Sequence, residues 1–150
     1  MEYVNFQEID PADFLPLLNK QTTREHLIEH QQFDVVGVTE WMRDKIEVDS
    51  TPGCRVRAIN VDSQLAGWCG IQADDGNYEI AVVLDDQYWG LGRSVFQDLM
   101  AWAKELGHST VYIHFLHTRP EYRFLRKMSR RVFESEMMGE RFVSYELEVK

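Results

Sequence analysis

The stretch DDQYWGLGRS (85–94) sets two acids, a Tyr-Trp pair and an alternating Gly-Leu-Gly between segments of different period. Before it, NYEIAVVL (77–84) is a short apolar run rich in β-branched residues, which predicts a strand. After it, Val95, Phe96, Leu99, Met100, Trp102, Ala103 and Leu106 recur at helical spacing, and Gly107 stands where a helix C-cap is wanted. A turn from a strand into a helix N-terminus exposes backbone N–H groups, and the helix dipole adds to their positive character. Such a place suits a phosphate. Glycine lets a ligand come close to the backbone and allows positive φ, and Gly90 and Gly92 read as placed for that. Arg93 and Ser94 add a cation and a hydroxyl at the same end. The plainer reading is a tight strand-to-helix turn with no ligand.

Outward from this point the chain divides into short elements. Upstream, CRVRAINV (54–61), LAGWCGIQ (65–72) and NYEIAVVL (77–84) are joined by the tight turns DSQ and ADDG, the pattern of an antiparallel meander. Earlier still, YVNFQEI (3–9) reads as a strand, and DPADFLPLLNK (10–20) as a helix with Asp10 as N-cap and Pro11 at its first position. TTREHLIEHQQF (22–33) reads as a second helix, with a Thr cap and Leu27 and Ile28 as its apolar pair, and TEWMRDKIEV (39–48) as a short third helix or a loop. Downstream, STVYIHFL (109–116) is a strand, and PEYRFLRKMSRR (120–131) a basic helix opening on proline. VFESEMM and RFVSYELEV close as a hairpin around GE. The strand–helix–strand unit 77–116 favours a parallel pair at the sheet centre. The expected class is α+β, with a mixed central sheet of about six or seven strands and helices on both faces, in one domain over 1–150.

Composition bounds the function. The 150 residues are 44 % hydrophobic and 27 % charged, with a net charge of −9. That balance argues against non-specific nucleic-acid binding, because a phosphate backbone rewards a positive surface. Cys54 and Cys69 are too few for a disulfide framework or a cysteine metal site, and read as reduced, buried thiols. No run reaches the roughly 18 apolar residues needed to span a membrane, and the acidic start MEYVNFQEIDPADF lacks a signal peptide's pattern. A cytoplasmic protein without membrane or metal is expected.

Two phosphate motifs fail here. The dinucleotide fingerprint needs a third glycine where Val95 stands, and three strands come first. The Walker loop needs a glycine where Gln87 stands, and lysine in place of Arg93. What remains is Gln87-Tyr88-Trp89-Gly90-Leu91-Gly92, a Q-x-x-G-x-G string between the fourth strand and a long amphipathic helix. In this element order the chain resembles the GCN5-related N-acetyltransferase (GNAT) superfamily, and YEIAVVLDDQYWGLG looks most like the branch that acetylates ribosomal protein N-termini. The resemblance implies a sheet splayed between its fourth and fifth strands, with acetyl-CoA as co-substrate. The pantetheine arm would bond the backbone of Val82, Val83 and Leu84, and the pyrophosphate would sit on the N–H groups from Tyr88 to Arg93. The cofactor set is therefore Val82, Val83, Leu84, Gln87, Tyr88, Trp89, Gly90, Leu91, Gly92, Arg93 and Ser94. The implied reaction is direct attack by a primary amine on the thioester in a ternary complex. The acceptor is a small-molecule, peptide or protein amine, with polyamines, aminoglycosides or basic peptides suggested by the acidic surface. A homodimer is among the expected assemblies.

The family's next motif is less well kept. Thr118 stands for its Asn, Leu125 for its Tyr acid, and Glu121 where the ribosomal branch has Ser; a shifted register puts Met128 at the Tyr. Tyr122, one helical turn away, is the substitute acid, against a reading as a packed aromatic. Glu79 within the fourth strand is a base candidate, against an outward-facing charge, and His114 and His117 on and after the fifth strand are the other two. His26, His30 and His108 read as surface positions. Trp41 and Trp68 read as core or cleft-lining, and Trp89 as a cover over the cofactor. Arg119, Arg123, Arg126, Lys127, Arg130 and Arg131 form a solvated face, or a basic wall for the 3′-phosphate or an acidic partner. Two rival functions stand beside catalysis: a degenerate module that binds CoA for sensing or assembly, and an interaction domain without a ligand.

Overall fold

A computed structural model describes residues 1–24, 32–120 and 122–150. In chain order its elements are β1 (Glu2–Val4), a 3-10 turn (Phe6–Glu8), α1 (Pro11–Asn19), α2 (Gln21–Arg24), α3 (Val35–Asp49), β2 (Arg55–Val61), β3 (Gln64–Asp74) and β4 (Asn77–Leu84). A second 3-10 turn (Asp86–Leu91) then leads into α4 (Gly92–Glu105), followed by β5 (Thr110–Leu116), α5 (Arg123–Met128), β6 (Ser129–Met137) and β7 (Glu140–Glu148). One sheet holds all the strands in the order β1-β2-β3-β4-β5-β7-β6. Its hairpins turn on two residues of positive φ: Asp62 and Ser63, Asp75 and Gly76, and Met138 and Gly139. That turn twist matches the twist of the flanking strands.

Apolar residues cover both faces. Val95, Phe96, Leu99 and Ala103 of α4 pack on Cys69, Ile71, Ile80, Val111 and Leu147. On the other face Phe14, Leu17 and Leu18 of α1 and Val38 and Met42 of α3 pack on Val56, Ala58, Trp68 and Val83. Phe6, Phe14, Trp41 and Trp68 form one aromatic cluster there, so both tryptophans are core. Cys54 and Cys69 are buried free thiols, as expected. Among the described residues no helix is long and apolar enough to cross a membrane.

The parallel pair at the centre is the feature that matters most. β4 and β5 are joined only at Glu79↔Tyr112 and Ile80↔Ile113. Beyond Ile80, β4 keeps its pairing with β3 through Leu84 but has none with β5. The sheet therefore splits between its fourth and fifth strands.

Several boundaries differ from expectation. The first strand stops at Val4, because Phe6 turns into the core within a 3-10 turn. The third helix is longer than 39–48: Asp34 accepts from Gly37 N–H at 2.7 Å, and this cap starts α3 at Val35 despite two exposed valines. The second helix is described only over Gln21–Arg24; Leu27, Ile28, His26 and His30 lie outside the described residues, as does Glu121. The basic helix ends at Met128, and Arg130 and Arg131 lie in β6, facing Glu148 and Glu146 of β7 at 3.9 and 3.4 Å. The ladder with β7 and the packing of Val132 on the core hold the strand there, and the exposed charge pairs add little. His108 is half-buried rather than a surface residue: its Nε2 lies 2.7 Å from Gly53 O, and its ring lies 4.1 Å from that of Tyr78.

Candidate active site

The split opens a cleft of about 500 Å³ that passes from one face of the sheet to the other. Val82, Val83 and Leu84 form one wall, and Ile113 and Phe115 of β5 with Tyr122, Phe124 and Leu125 form the other. Trp89, Gly90, Gly92 and Arg93 stand at its mouth, and Thr22 and Thr23 of α2 close it on the α1 side. The hydroxyls of Thr22 and Thr23 and Nε of Arg119, all in the lining, are buried without a hydrogen-bond partner among the described residues. Such groups are offered to whatever fills the cleft.

The mouth is built by Asp85 and the glycines. Asp85 N–H donates to Ala66 O at 2.8 Å, ending the β3–β4 ladder, and the Asp85 carboxylate accepts from Gln87 N–H at 3.2 Å to start the 3-10 turn. Two carboxylates beside an anion site would oppose it. Lys20, the C-cap of α1, offsets both, with Nζ at 3.1 Å from Asp85 and 2.6 Å from Asp86. The glycines do not serve positive φ. Neither Gly90 nor Gly92 has it, and Gly92 is helical at φ −54° and ψ −41°. What they provide is room: a Cβ on Gly90 would meet nothing within 4 Å, and one on Gly92 only Leu84 Cδ1 at 4.0 Å.

The amide cradle is also narrower than 88–93. Tyr88 N–H donates to Asp85 O at 2.8 Å, and the Gly92 N–H is taken by Trp89 O. The open end is α4 itself, whose N-cap Leu91 supplies no side-chain cap. Its first amides are then the donors that an anion can use. Arg93, at 5.1 Å over the Phe124 ring, lies alongside. Of the other positions in the expected cofactor set, Gln87 is exposed and its side chain bonds Asp85 at 3.4 Å. Tyr88 and Leu91 pack on the α4-side core. Ser94 is absent from the cleft lining. Trp89 is 49 % exposed and donates its indole N–H to Leu84 O at 3.1 Å, so that carbonyl is already engaged.

The expected catalytic candidates, Glu79, His114, His117 and Tyr122, are not gathered at one point. Glu79 sits at the vertex of the split, in the last register but one that joins β4 to β5. Burial raises its pKa to about 7; Asp74 pushes the same way and Lys45 opposes. Its side chain faces α3, where Gln72 Nε2 lies 3.5 Å from Oε1 and Lys45 Nζ bonds Gln72 Oε1. His114 is its neighbour across the split: Nε2 is 4.0 Å from Glu79 Oε2 and 3.6 Å from Asp74 Oδ2, and Nδ1 is 2.7 Å from Ser144 Oγ. Burial pushes the His114 pKa down, with Asp74 opposing. His117, by contrast, is exposed past the end of β5, where its ring and its N–H both meet Arg141 O. It does not line the cleft, and neither does Glu79 or His114. Tyr122 does, as the N-cap of α5 rather than a residue within it. Its hydroxyl accepts from Arg119 at 2.7 Å while its ring packs on Phe115, so the packing and polar readings both apply. Leu125, where the resemblance implied an acid, is buried core.

Gln72 and Asp74 went unremarked in the sequence, yet a signal was there. The Asp75-Gly76 pair predicts a two-residue hairpin turn, and that register puts Gln72 directly across from Glu79.

No protein-family profile matches the sequence, and no curated protein matches it. Solved structures do match. A Bordetella pertussis protein assigned to the GnaT-family acetyltransferases superposes with a TM-score of 0.77 at 12 % identity, over 97 % of this chain and 93 % of that one. An acetyl transferase from Salmonella typhimurium, which modifies the N-terminal serine of 50S ribosomal subunit protein L7/L12, gives 0.74 at 13 % identity over 99 % and 94 %. The PaiA N-acetyltransferase from Thermoplasma acidophilum, solved in complex with coenzyme A, gives 0.61 at 12 % identity over 97 % and 99 %. At these identities the likeness is one of architecture: the chain has the GNAT fold, including the split sheet at its centre.

Proposed function

We propose that the protein is an acyl-CoA-dependent N-acyltransferase that moves an acetyl group from acetyl-CoA to a primary amine. The observation that carries this reading is the split between β4 and β5, continued as a cleft that ends at an uncapped helix N-terminus. A thioester on a long amide-bearing arm fits such a cleft. The unpaired edge of β4 over 81–84 offers backbone donors and acceptors to the arm's amides, and the first turn of α4 with Arg93 takes the pyrophosphate. The open faces of Gly90 and Gly92 leave space for it.

The chemistry needs a base. A primary ammonium cannot attack until it loses a proton, and Glu79, with its pKa near 7, is ionised often enough at neutral pH to take one. The free amine then attacks the thioester carbonyl carbon and the C–N bond forms; the nitrogen gives up its second proton to solvent, and the C–S bond breaks as the electron pair leaves on sulfur. Tyr122, whose oxygen accepts from Arg119, keeps its own hydroxyl proton for the departing thiolate. The solved relatives that act on a ribosomal protein support a peptide amine among the acceptors. His117 drops out of the proposed set, and His114 enters it through its contact with Glu79.

The test is turnover with a panel of primary amines and peptide N-termini, followed by thiol release from acetyl-CoA, with acetyl-CoA binding measured in parallel by calorimetry. Binding together with amine-dependent thiol release is expected. Binding without release on any acceptor between pH 7 and 9 would replace the enzyme reading with that of a CoA-binding module.

A further inference from the structure

We infer that Asp74, Glu79 and His114 form a binding site for a divalent transition-metal cation of the zinc class, set at the vertex of the split. Three adjacent strands supply one ligand each: the end of β3, the middle of β4 and the middle of β5. The donor atoms lie within 4.8 Å of one another, with His114 Nε2 at 3.6 Å from Asp74 Oδ2 and 4.0 Å from Glu79 Oε2. Zinc–ligand bonds of about 2.1 Å put tetrahedral ligands about 3.4 Å apart. Small side-chain rotations of the two carboxylates close that difference without moving a strand.

The surroundings prepare the ligands. Ser144 is fully buried, and its hydroxyl lies 2.7 Å from both His114 Nδ1 and Ser135 Oγ. The chain of bonds is satisfied with Nδ1–H donating to Ser144 and Ser144 donating to Ser135. The same chain is satisfied in the reverse direction, with Nε2–H toward the carboxylates; a cation bound at Nε2 selects the first direction, and Ser144 holds the ring in place in both. Outer hydrogen bonds that fix a histidine tautomer and a carboxylate are the usual supports of metal ligands. Gln72 supplies the second of these by holding Glu79 Oε1, which leaves Oε2 for the cation. The three ligand residues are all partly exposed, so an ion and a water ligand can enter. An imidazole with two carboxylates favours zinc over magnesium, which prefers an all-oxygen shell. Lys45, on the far side of Gln72, is the one cation that opposes entry among the groups acting on Glu79. With a single imidazole and this opposing charge, the affinity expected is micromolar rather than that of a structural site.

One consequence rests on the acyltransferase reading: the cation and the amine proton compete for Glu79 Oε2, so zinc occupancy and turnover exclude each other. The experiment is a zinc titration of the intact chain by calorimetry, repeated with cobalt(II) to read visible absorption bands. One equivalent should bind, with absorption of a four- or five-coordinate cobalt centre. Asp74→Asn, at a half-exposed position beside the hairpin turn, and His114→Gln should each weaken zinc at least tenfold. No stoichiometric binding, or zinc affinity unchanged from the parent in both variants, overturns the site. In a second arm zinc should inhibit acetyl transfer, and EDTA should restore it. Turnover unaffected by a saturating zinc concentration overturns the exclusion. A chain that transfers no acetyl group but binds zinc through these residues keeps the site and fails only the acyltransferase reading.

Discussion

Glu79 carries a charge that its own fold opposes. Its pKa in the fold, about 7, stands above the ordinary 4.5 mainly because of burial. A carboxyl raised in this way stabilises the fold in full below its unfolded pKa, and that contribution is lost as pH rises through 7. The same ionisation creates the base. Rate and stability must therefore move in opposite directions. Glu79→Gln should lower acetyl transfer by about 10²–10⁴-fold, the usual reach of a general base, and remove the rising limb of the rate profile near pH 7. At pH 8 it should also unfold at a higher temperature than the parent, by the equivalent of about 1 to 3 kcal/mol. A variant equally stable at pH 5 and pH 8 relative to the parent would show that ionisation of Glu79 is not the strained step. Tyr122→Phe tests the other proton. It removes the hydroxyl but keeps the ring on Phe115, so acetyl-CoA affinity should hold, while the rate falls modestly and the alkaline limb disappears. An unchanged alkaline limb assigns Tyr122 to packing alone. Glu79 was legible in the sequence because a lone acid interrupts an apolar strand. His114 could be named but not ranked above His117, since an imidazole on β5 and one just past its end read alike as base candidates. Only the contacts with Asp74, Glu79 and Ser144 separate them.

Among the elements, α4 and the turn before it were the most legible. A seven-position apolar stripe fixes the buried face, and the strand before it fixes where the turn must be. The reason for the glycines was not legible, because a string of letters does not distinguish positive φ from empty space. The structure separates the two, and an experiment follows. Gly92 is helical and a Cβ there meets nothing closer than 4.0 Å, so Gly92→Asp should fold. An acid in the first turn of α4 favours the helix by about 0.3–1 kcal/mol through the dipole. The same carboxylate opposes a pyrophosphate. Thermal stability should hold or rise while acetyl-CoA affinity falls at least ~1.4 kcal/mol, a tenfold change. Calorimetry on folded protein reads both; unchanged affinity would remove the helix N-terminus from the ligand site. The basic segment 120–131 was harder to read. Its composition is helical, yet the ladder with β7 and the packing of Val132 on the core draw Arg130 and Arg131 into β6. Tertiary pairing overrides local propensity there, and no periodicity within the segment announces it.

Over the whole molecule the governing fact is that a central strand of the sheet is held, over its last residues, from one side only. Beyond Ile80, β4 pairs with β3 and, among the described residues, with nothing on its other edge, and this half-supported end is the wall of the cleft. Its position then depends on how closely β3 can approach. Gly67 sets that approach: it pairs with Leu84, and a Cβ built on it would lie 2.0 Å from Val83 O and 2.9 Å from Leu84 Cα. Both contacts are with backbone, so no side chain can rotate away, and β4 itself must shift. In a sheet held on both edges the resistance of neighbouring ladders would make the change purely a matter of stability. Here the end of β4 has a cleft to move into. Gly67→Ala should therefore act on both properties at once: a loss of stability of about 1–3 kcal/mol, the usual cost of overpacking, and weaker acetyl-CoA binding at temperatures where the variant remains folded. Gly70→Ala is the control. It too meets backbone, with Arg55 O at 2.8 Å, but the clash is with β2 rather than β4, and its β4 partner is Ala81, at the start of the split rather than at its open end. It should lose stability with a smaller change in affinity. Equal affinity losses in the two variants would mean that the cleft wall is stiff, and that the split in the sheet is held by the side chains packed around it rather than by the β3–β4 ladder.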